Sequence, residues 1–439
     1  MNNANRKGTL FALAVPILLE QLLRSLMGTV NTFMLSRVSD NASAAVGVAN
    51  QILNVMIIAS SMMASGAAIL ENQKIGARAE RETAQVLMNS LAAAAGIGFI
   101  VSFVCMTFAT PLVRAMGLNE ELVQDSSTYL RIVGATCLFQ FVSSMTATHF
   151  RCHGKAWVSM AVIVGNNVMN VGGCLLVVNG LAPISGVAGI ASVRFVAEAI
   201  GLMIILILFA REKWGQQWSD LIHINGKLMK EILRLGFMSG MEGLSYTFGQ
   251  LVTTSFITGL PTAVLSAKVY TQTLASYPYM AGMAIGSAGQ IISGQLIGAG
   301  DEEGALKLIR RCWVGVLVLN LCGSIASFSF CENLIGLFTN SAEIAAIARP
   351  LFAIDILTCA GRSMNHSFNF GLRSAKFVFW PMVIATTSIW ILNVGLGWLL
   401  TVWANIGVIG LWISACTDEW VRGLLAAFQW NKKLWMKKK

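Results

Sequence analysis

Glu20 and Arg24, Arg194 and Glu198, and Asp418 and Arg422 are acid and base partners spaced four residues apart inside otherwise apolar runs. That spacing puts the two charges of each pair on one side of a helix, facing each other. Glu242 stands apart. No cation lies three or four residues from it, and Lys268 is the candidate partner from another helix. Asp355 and Arg362, seven residues apart, share a helix face, with Asn365 and His366 close by. A charge inside a bilayer is costly, about 2.5–3.5 kcal/mol or more at its centre, so such residues mark pathways for ions or charged cargo. A carboxylate there can pair with a proton, a sodium ion or an organic cation. Glu242, lacking a local cation, is the better candidate for the group that exchanges a proton, and Glu20, beside Arg24, for one that stays ionised. The competing reading is that these charges only pin helix packing.

Amides and a proline complete the polar inventory. Asn166, Asn167 and Asn170 lie in one apolar run, where asparagine either joins helices or lines a cavity. The segment from Tyr270 to Gln290 reads YTQTLASYPYMAGMAIGSAGQ, with Pro278 followed by Gly282 and Gly286. Proline removes a backbone hydrogen bond and glycine weakens the rest, so a kink or hinge is expected at Pro278, Gly282 and Gly286. Close helix packing through small residues is the alternative.

The elements that hold these residues must be membrane helices. The chain has 439 residues, of which 55% are hydrophobic and 12% charged, against about 25% charged in soluble domains. Runs of roughly 20 apolar residues, the length that spans a bilayer core, recur throughout. Twelve helices are expected, over 9–35, 43–70, 85–110, 128–149, 157–178, 185–210, 232–258, 263–292, 306–331, 346–370, 378–402 and 406–430. The short alternating strands of a lipid-embedded barrel are absent. Nine cysteines are scattered without a CxxC pair, the four histidines do not cluster with carboxylates, and no GxxxxGK[ST] stretch occurs. Free thiols, no metal, no cofactor and no ATP hydrolysis are therefore expected.

The basic residues set the orientation. Loops on one side carry 22 of the 31 lysines and arginines, including Arg151, Lys155, Arg211, Lys213 and the terminal KKLWMKKK; the other side carries only Arg37, Arg114, Arg131 and Arg349. Such an excess marks the cytoplasmic face, so both termini are expected inside a plasma or inner membrane. The net charge of +10 then points to anionic lipid headgroups as partners and not to nucleic acid.

The chain also repeats itself. Shifted by 222 positions, Glu20 falls on Glu242, Gln73 and Gly76 on Gln295 and Gly298, and Arg151 on Arg373; with one-residue gaps, Asn170 reaches Asn393 and Glu198 reaches Glu419. A period this long means two homologous lobes, not a solenoid. The expected fold is therefore all-α, with six helices in 1–210, a cytoplasmic linker at 211–231 and six helices in 232–439. An even number per lobe relates the two by a pseudo-twofold along the membrane normal.

In this order, several segments resemble the multidrug and toxic compound extrusion (MATE) family. They are PILLEQLLRSLMGTVNTFMLSR, NQKIGAR, FRCHGK, NNVMN, GVAGIASVR, RLGFMSGMEGLSY, and the run from Arg362 through FNFGLRSAK to Phe379 and Pro381. The resemblance covers nearly the whole chain. It implies a two-lobe antiporter that exports amphipathic cations against H⁺ or Na⁺ by alternating access, without enzymatic activity; a monomer is the simplest expectation. It also implies departures. Many family members have aspartates where this chain has Asn31 and Asn170, and an amide neither titrates near neutrality nor carries a full charge. Coupling would then shift to Glu20 and Glu242, with Asp355 and Arg362 as the next candidates. A lipid or lipid-linked sugar flippase, and less directly a membrane enzyme or receptor, are the alternatives.

Overall fold

The computed structural model describes residues 3–38, 40–181, 183–221 and 224–436, and within them it contains helices and no strand. In the first half α1 is Asn3–Val38, α2 Asp40–Gly76, α3 Glu80–Thr107, α4 Ala109–Ala115, α5 Glu120–Ala135, α6 Cys137–Cys152, α7 Ala156–Val178 and α8 Gly186–Arg211. In the second half α9 is Gly226–Ser255, α10 Thr262–Gly298, α11 Glu302–Ser329, α12 Cys331–Gly336, α13 Ala342–Ser374, α14 Phe379–Ser388 and α15 Val408–Asn431. Eight of these helical spans are long and apolar enough to cross a membrane, or nine if the bent pair α5–α6 counts as one. Helices α9, α10 and α15 are long enough too, but carry the charged and amide residues that lower their hydropathy.

The repeat is built into the helix boundaries. The pairs α2 and α10, α3 and α11, and α4 and α12 each begin 222 residues apart. The helix ends repeat as well: α2, α6, α10 and α13 each close with a bond from an amide five residues on, as in Ala79 N–H to Lys74 C=O (3.1 Å) and Asp301 N–H to Leu296 C=O (2.8 Å). This closure needs a left-handed residue, supplied by Arg78, Gly154, Gly300 and Lys376. The matched positions 78 and 300, and 154 and 376, place glycine in one repeat and a cation in the other.

One helix departs from the repeat for a visible reason. Residues 120–152 form two helices bent by 40°, whereas the matching residues form the continuous α13. Ser102 of α3 sits in the break, donating to Ala135 C=O (3.0 Å) and accepting from Leu138 N–H (2.8 Å). A side chain inserted into the backbone ladder is a known cause of a kink. Its counterpart in α11, Ser324, donates instead to Asp355 (3.0 Å). A second departure follows α14, whose continuation is π-helical over Ile389–Leu396 and Leu399–Trp403. The matching α7 is regular.

By contacts the chain divides into two compact units, Val15–Phe237, and Met238–Lys439 together with Met1–Ala14. The segment expected as a linker packs with the first unit. Lys155 pairs with Glu212 (2.6 Å), Arg81 with Asp220 (2.5 and 2.8 Å), and Asn225 N–H donates to Asn89 (2.7 Å). Trp214 stacks on His153 at 4.1 Å. The first turns of α9 follow: a Cβ on Gly66 would lie 2.1 Å from Ile232 C=O, so only glycine admits α9 against α2 there. In each unit apolar side chains fill the interior, such as Leu35, Leu53 and Leu130 in the first and Leu351, Phe352 and Leu372 in the second. Outward positions are apolar as well, including Phe99, Phe103, Ile207 and Val318, as a lipid-facing surface requires.

Candidate functional site

In the second unit α13 presents Asp355, Arg362, His366, Asn369 and Arg373 at helical spacing on one face. Helix α15 brings Asp418, Glu419 and Arg422, and α9 brings Glu242. These side chains form one connected network. Arg373 donates to Glu242 (2.7 Å), and so does Arg422 (2.9 Å). Arg422 also holds Asp418 (2.7 Å) and Glu419 (3.4 Å). Glu419 meets Arg362 (3.4 Å), which reaches Asp355 (3.8 Å).

Neutral groups fix the ends of this chain of charges. Asn369 donates to Asn365 (2.6 Å), and Asn365 donates to Glu419 (2.8 Å). Ser388 donates to Asp418 (2.5 Å). The Arg362 guanidinium lies 5.5 Å from the centre of the Tyr279 ring, which itself packs 5.1 Å from His366. Apart from the imidazole, four carboxylates (Glu242, Asp355, Asp418 and Glu419) face three guanidiniums (Arg362, Arg373 and Arg422). Buried charges are tolerated when paired, so the surplus carboxylate is a place for one proton, one small cation or a cationic group.

The first unit carries a smaller version. Arg151 donates to both oxygens of Glu20 (3.0 and 3.1 Å), Arg24 to one of them (3.2 Å), and Ser159 to the other (3.3 Å). The amides stand elsewhere in the unit. Asn166 lies against Gly201, where a Cβ would be 2.2 Å from its side-chain oxygen. Asn170 is buried and accepts from the Cys174 thiol (3.5 Å). The Oδ1 atoms of Asn31 and Asn166 have no hydrogen-bond partner among the described residues. Arg194 donates to the Tyr129 hydroxyl (3.1 Å).

Several sequence expectations need correction. Glu242 is not a carboxylate without a cation, and Lys268 is not its partner. Two arginines from α13 and α15 hold it, while buried Lys268 donates to the Thr254 hydroxyl. A search along Glu242's own helix misses partners that lie 131 and 180 residues on. Tyr270 stacks on Phe338 at 4.8 Å, away from the network's bonded residues. Helix α10 runs through Pro278 without a break. Gly282 admits Val316 and Asn320, Gly286 admits the Phe370 ring, and the Pro278 ring packs where Gly323 lacks a side chain. Gly282 and Gly286 thus serve close helix packing, the alternative reading of this segment.

Other residues escape a reading of the sequence. Glu419, paired by the repeat with Glu198, joins two arginines. In the first unit Glu71 and His149, both fully buried, meet at 2.6 Å, and Ser90 lies 3.2 Å from the other imidazole nitrogen. No repeat signal flags that cluster, because the matching positions hold Ser293 and Gly371.

The comparisons agree with this architecture. The MatE family pattern matches residues 16–176 and 239–399. The uncharacterized transporter YisQ of Bacillus subtilis (strain 168) is 34% identical, over 99% of this chain and 96% of its own length. The probable multidrug resistance protein NorM of Thermotoga maritima is 25% identical, over 98% and 93%. A solved outward-facing multidrug resistance MATE family transporter of the MOP superfamily is similar in fold, with a TM-score of 0.90 at 16% identity over 99% of this chain and 97% of that one. The family pattern over both halves, with a relative 34% identical over nearly the whole length, places the chain in the MatE family of multidrug and toxic compound extrusion transporters.

Proposed function

We propose that the protein is a secondary antiporter that exports amphipathic cations in exchange for H⁺ or Na⁺, with the network of the second unit as its coupling site. The observation that carries this is the surplus of one carboxylate among Glu242, Asp355, Asp418 and Glu419 over Arg362, Arg373 and Arg422. A coupling ion and a cationic cargo competing for that one charge is the minimal logic of exchange. The amides at Asn31 and Asn170 offer no such charge in the first unit. The bias of basic residues supports a cytoplasmic location for both termini and for residues 211–231, in a plasma membrane, and the reading needs only a monomer.

The test is efflux of ethidium from proteoliposomes, driven separately by a proton gradient and by a sodium gradient. One gradient should drive efflux, and Glu242→Gln should remove that dependence. Equal efflux with and without either gradient would exclude antiport. Movement of a labelled lipid in place of ethidium would support the flippase reading.

A further inference from the structure

Arg422 has three nitrogens, and the network accounts for only two. One terminal nitrogen holds Glu242, and the other holds Asp418 and Glu419. The third, Nε, has no hydrogen-bond partner among the described residues. Among the other buried atoms in that condition are Oδ1 of Asn369 and Oε1 of Gln429. All three residues line one cavity of about 10 Å³, together with Pro381, Ile384 and Ala426. Each polar residue is more than nine-tenths buried: Arg422 is 3% exposed, Asn369 5% and Gln429 9%. A buried polar atom left unsatisfied is destabilising, so three around one cavity point to a ligand.

The chemistry of the three atoms selects that ligand. Nε–H donates, and the two amide oxygens accept. The Asn369 amide is oriented by its donation to Asn365, which leaves its oxygen for the cavity. A metal cation would meet the guanidinium N–H, and an anion would meet two carbonyl-type oxygens. A water molecule accepts one hydrogen bond and donates two, and a cavity of about 10–15 Å³ is the size that holds one.

We propose that Asn369, Arg422 and Gln429 bind a single water that fixes the Arg422 guanidinium, and through it sets how strongly the carboxylates of the network hold their coupling ion. The water closes a ring: Arg422, water, Asn369, Asn365, Glu419 and back to Arg422. Asn369 and Gln429 are thus positioning residues, one from α13 and one from α15. The guanidinium they orient faces Glu242 from α9 and Asp418 and Glu419 from α15. Arg362, His366 and Arg373 of α13, Tyr246 of α9 and Tyr279 of α10 surround those partners. The regulatory consequence rests on the antiport reading, whereas the water site does not.

The experiment has a structural arm and a transport arm, both on the full chain. A cryo-EM map at a resolution that shows waters should contain one density peak within about 3.2 Å of all three atoms. Gln429→Leu removes an acceptor and fills the cavity, so the peak should vanish; Gln429→Glu keeps an acceptor and should retain it. In proteoliposomes, Gln429→Leu should move the pH midpoint of ethidium efflux by about half a unit or more, or the Na⁺ half-saturation by a similar ratio if sodium drives transport. Asn369→Leu should reproduce the shift. A wild-type map without the peak overturns the site. A peak lost in Gln429→Leu with an unmoved midpoint overturns the positioning role. If Gln429→Leu does not fold, Gln429→Met, which also removes the acceptor and fills the cavity, takes its place in both arms. Equal wild-type efflux with and without either gradient would sink the antiport reading while leaving the density to judge the water.

Discussion

Glu20 with Arg151 and Glu242 with Arg373 are the same pair, at the same separation of 131 residues, in the two halves of a duplicated chain. What surrounds them differs. Glu20 has Arg24, which is 58% exposed, and a serine. Glu242 has Arg422, which is buried and links it to two more carboxylates, Asp418 and Glu419. The shared pair is what one six-helix lobe needs to hold its first helix against its fourth span. The added charges of the second half are not needed for that, because the first half holds together without them. Asymmetry between the repeats therefore marks charges that the packing of a lobe does not require, and it is there that we propose the coupling site. Ser102 and Ser324 repeat the lesson: the first takes a broken backbone, while the second takes Asp355.

The largest effect should come from breaking the cation that the halves do not share. Arg422→Met leaves Glu242, Asp418 and Glu419 short of a buried partner, and losing one side of a buried pair costs about 3–5 kcal/mol. Arg151→Met removes a cation from Glu20 but leaves Arg24 and Ser159, so its cost should be about 1.5–3 kcal/mol, typical of hydrogen bonds to a charged group. Thermal unfolding in detergent measures both. Equal losses would mean that the two networks are energetically alike, and the comparison would fail.

Charge removal that preserves shape sharpens the functional side. Glu242→Gln should lower gradient-driven efflux at least about tenfold, or about 1.4 kcal/mol, whereas Glu20→Gln should stay within about threefold. Initial rates at saturating ethidium, with the protein quantified in the vesicles, decide it. The reverse ranking would move coupling to the first half.

The amino-acid sequence carries much of this architecture openly. The succession of apolar helices and the duplication follow from apolar length and the 222-residue shift, because long apolar runs and charges recurring in register are read directly from the chain. The pair partners are half legible. Arg151 and Arg373 recur at the same shift as Glu20 and Glu242, and two residue types recurring together can be read as a contact. A helix-local search instead gives Arg24 to Glu20 and leaves Glu242 without a cation. The water site is not legible at all. It depends on which amide oxygens remain unpaired after packing, and nothing in the types or spacing of Asn369 and Gln429 records that. The break at Thr136 is equally hidden, since its cause lies in Ser102, on another helix.

That break offers a smaller test. Ser102→Ala removes the hydroxyl that serves Ala135 C=O and Leu138 N–H, and should cost about 1 kcal/mol, the net worth of a buried hydrogen bond. Ser324→Ala should cost about the same in stability, but it also takes a donor from Asp355, so only this variant should alter ion dependence. If both variants change efflux alike, the two serines do not divide into structural and functional roles.

The smallest expected effect concerns Arg24. Its bond to Glu20 follows the four-residue helical spacing, the most visible pairing in the sequence, yet the arginine is mostly exposed. Helical pairs at this spacing contribute about 0.3–0.5 kcal/mol. Arg24→Ala should therefore leave the melting temperature nearly unchanged and efflux within about twofold, while Arg151→Met shows the larger loss. A double-mutant cycle on Glu20 with each arginine apportions the hold directly. Coupling larger for Arg24 than for Arg151 would mean that the first repeat anchors its glutamate along α1 and not across to α6. The equivalence with Glu242 and Arg373 would then be one of sequence position without shared energetics.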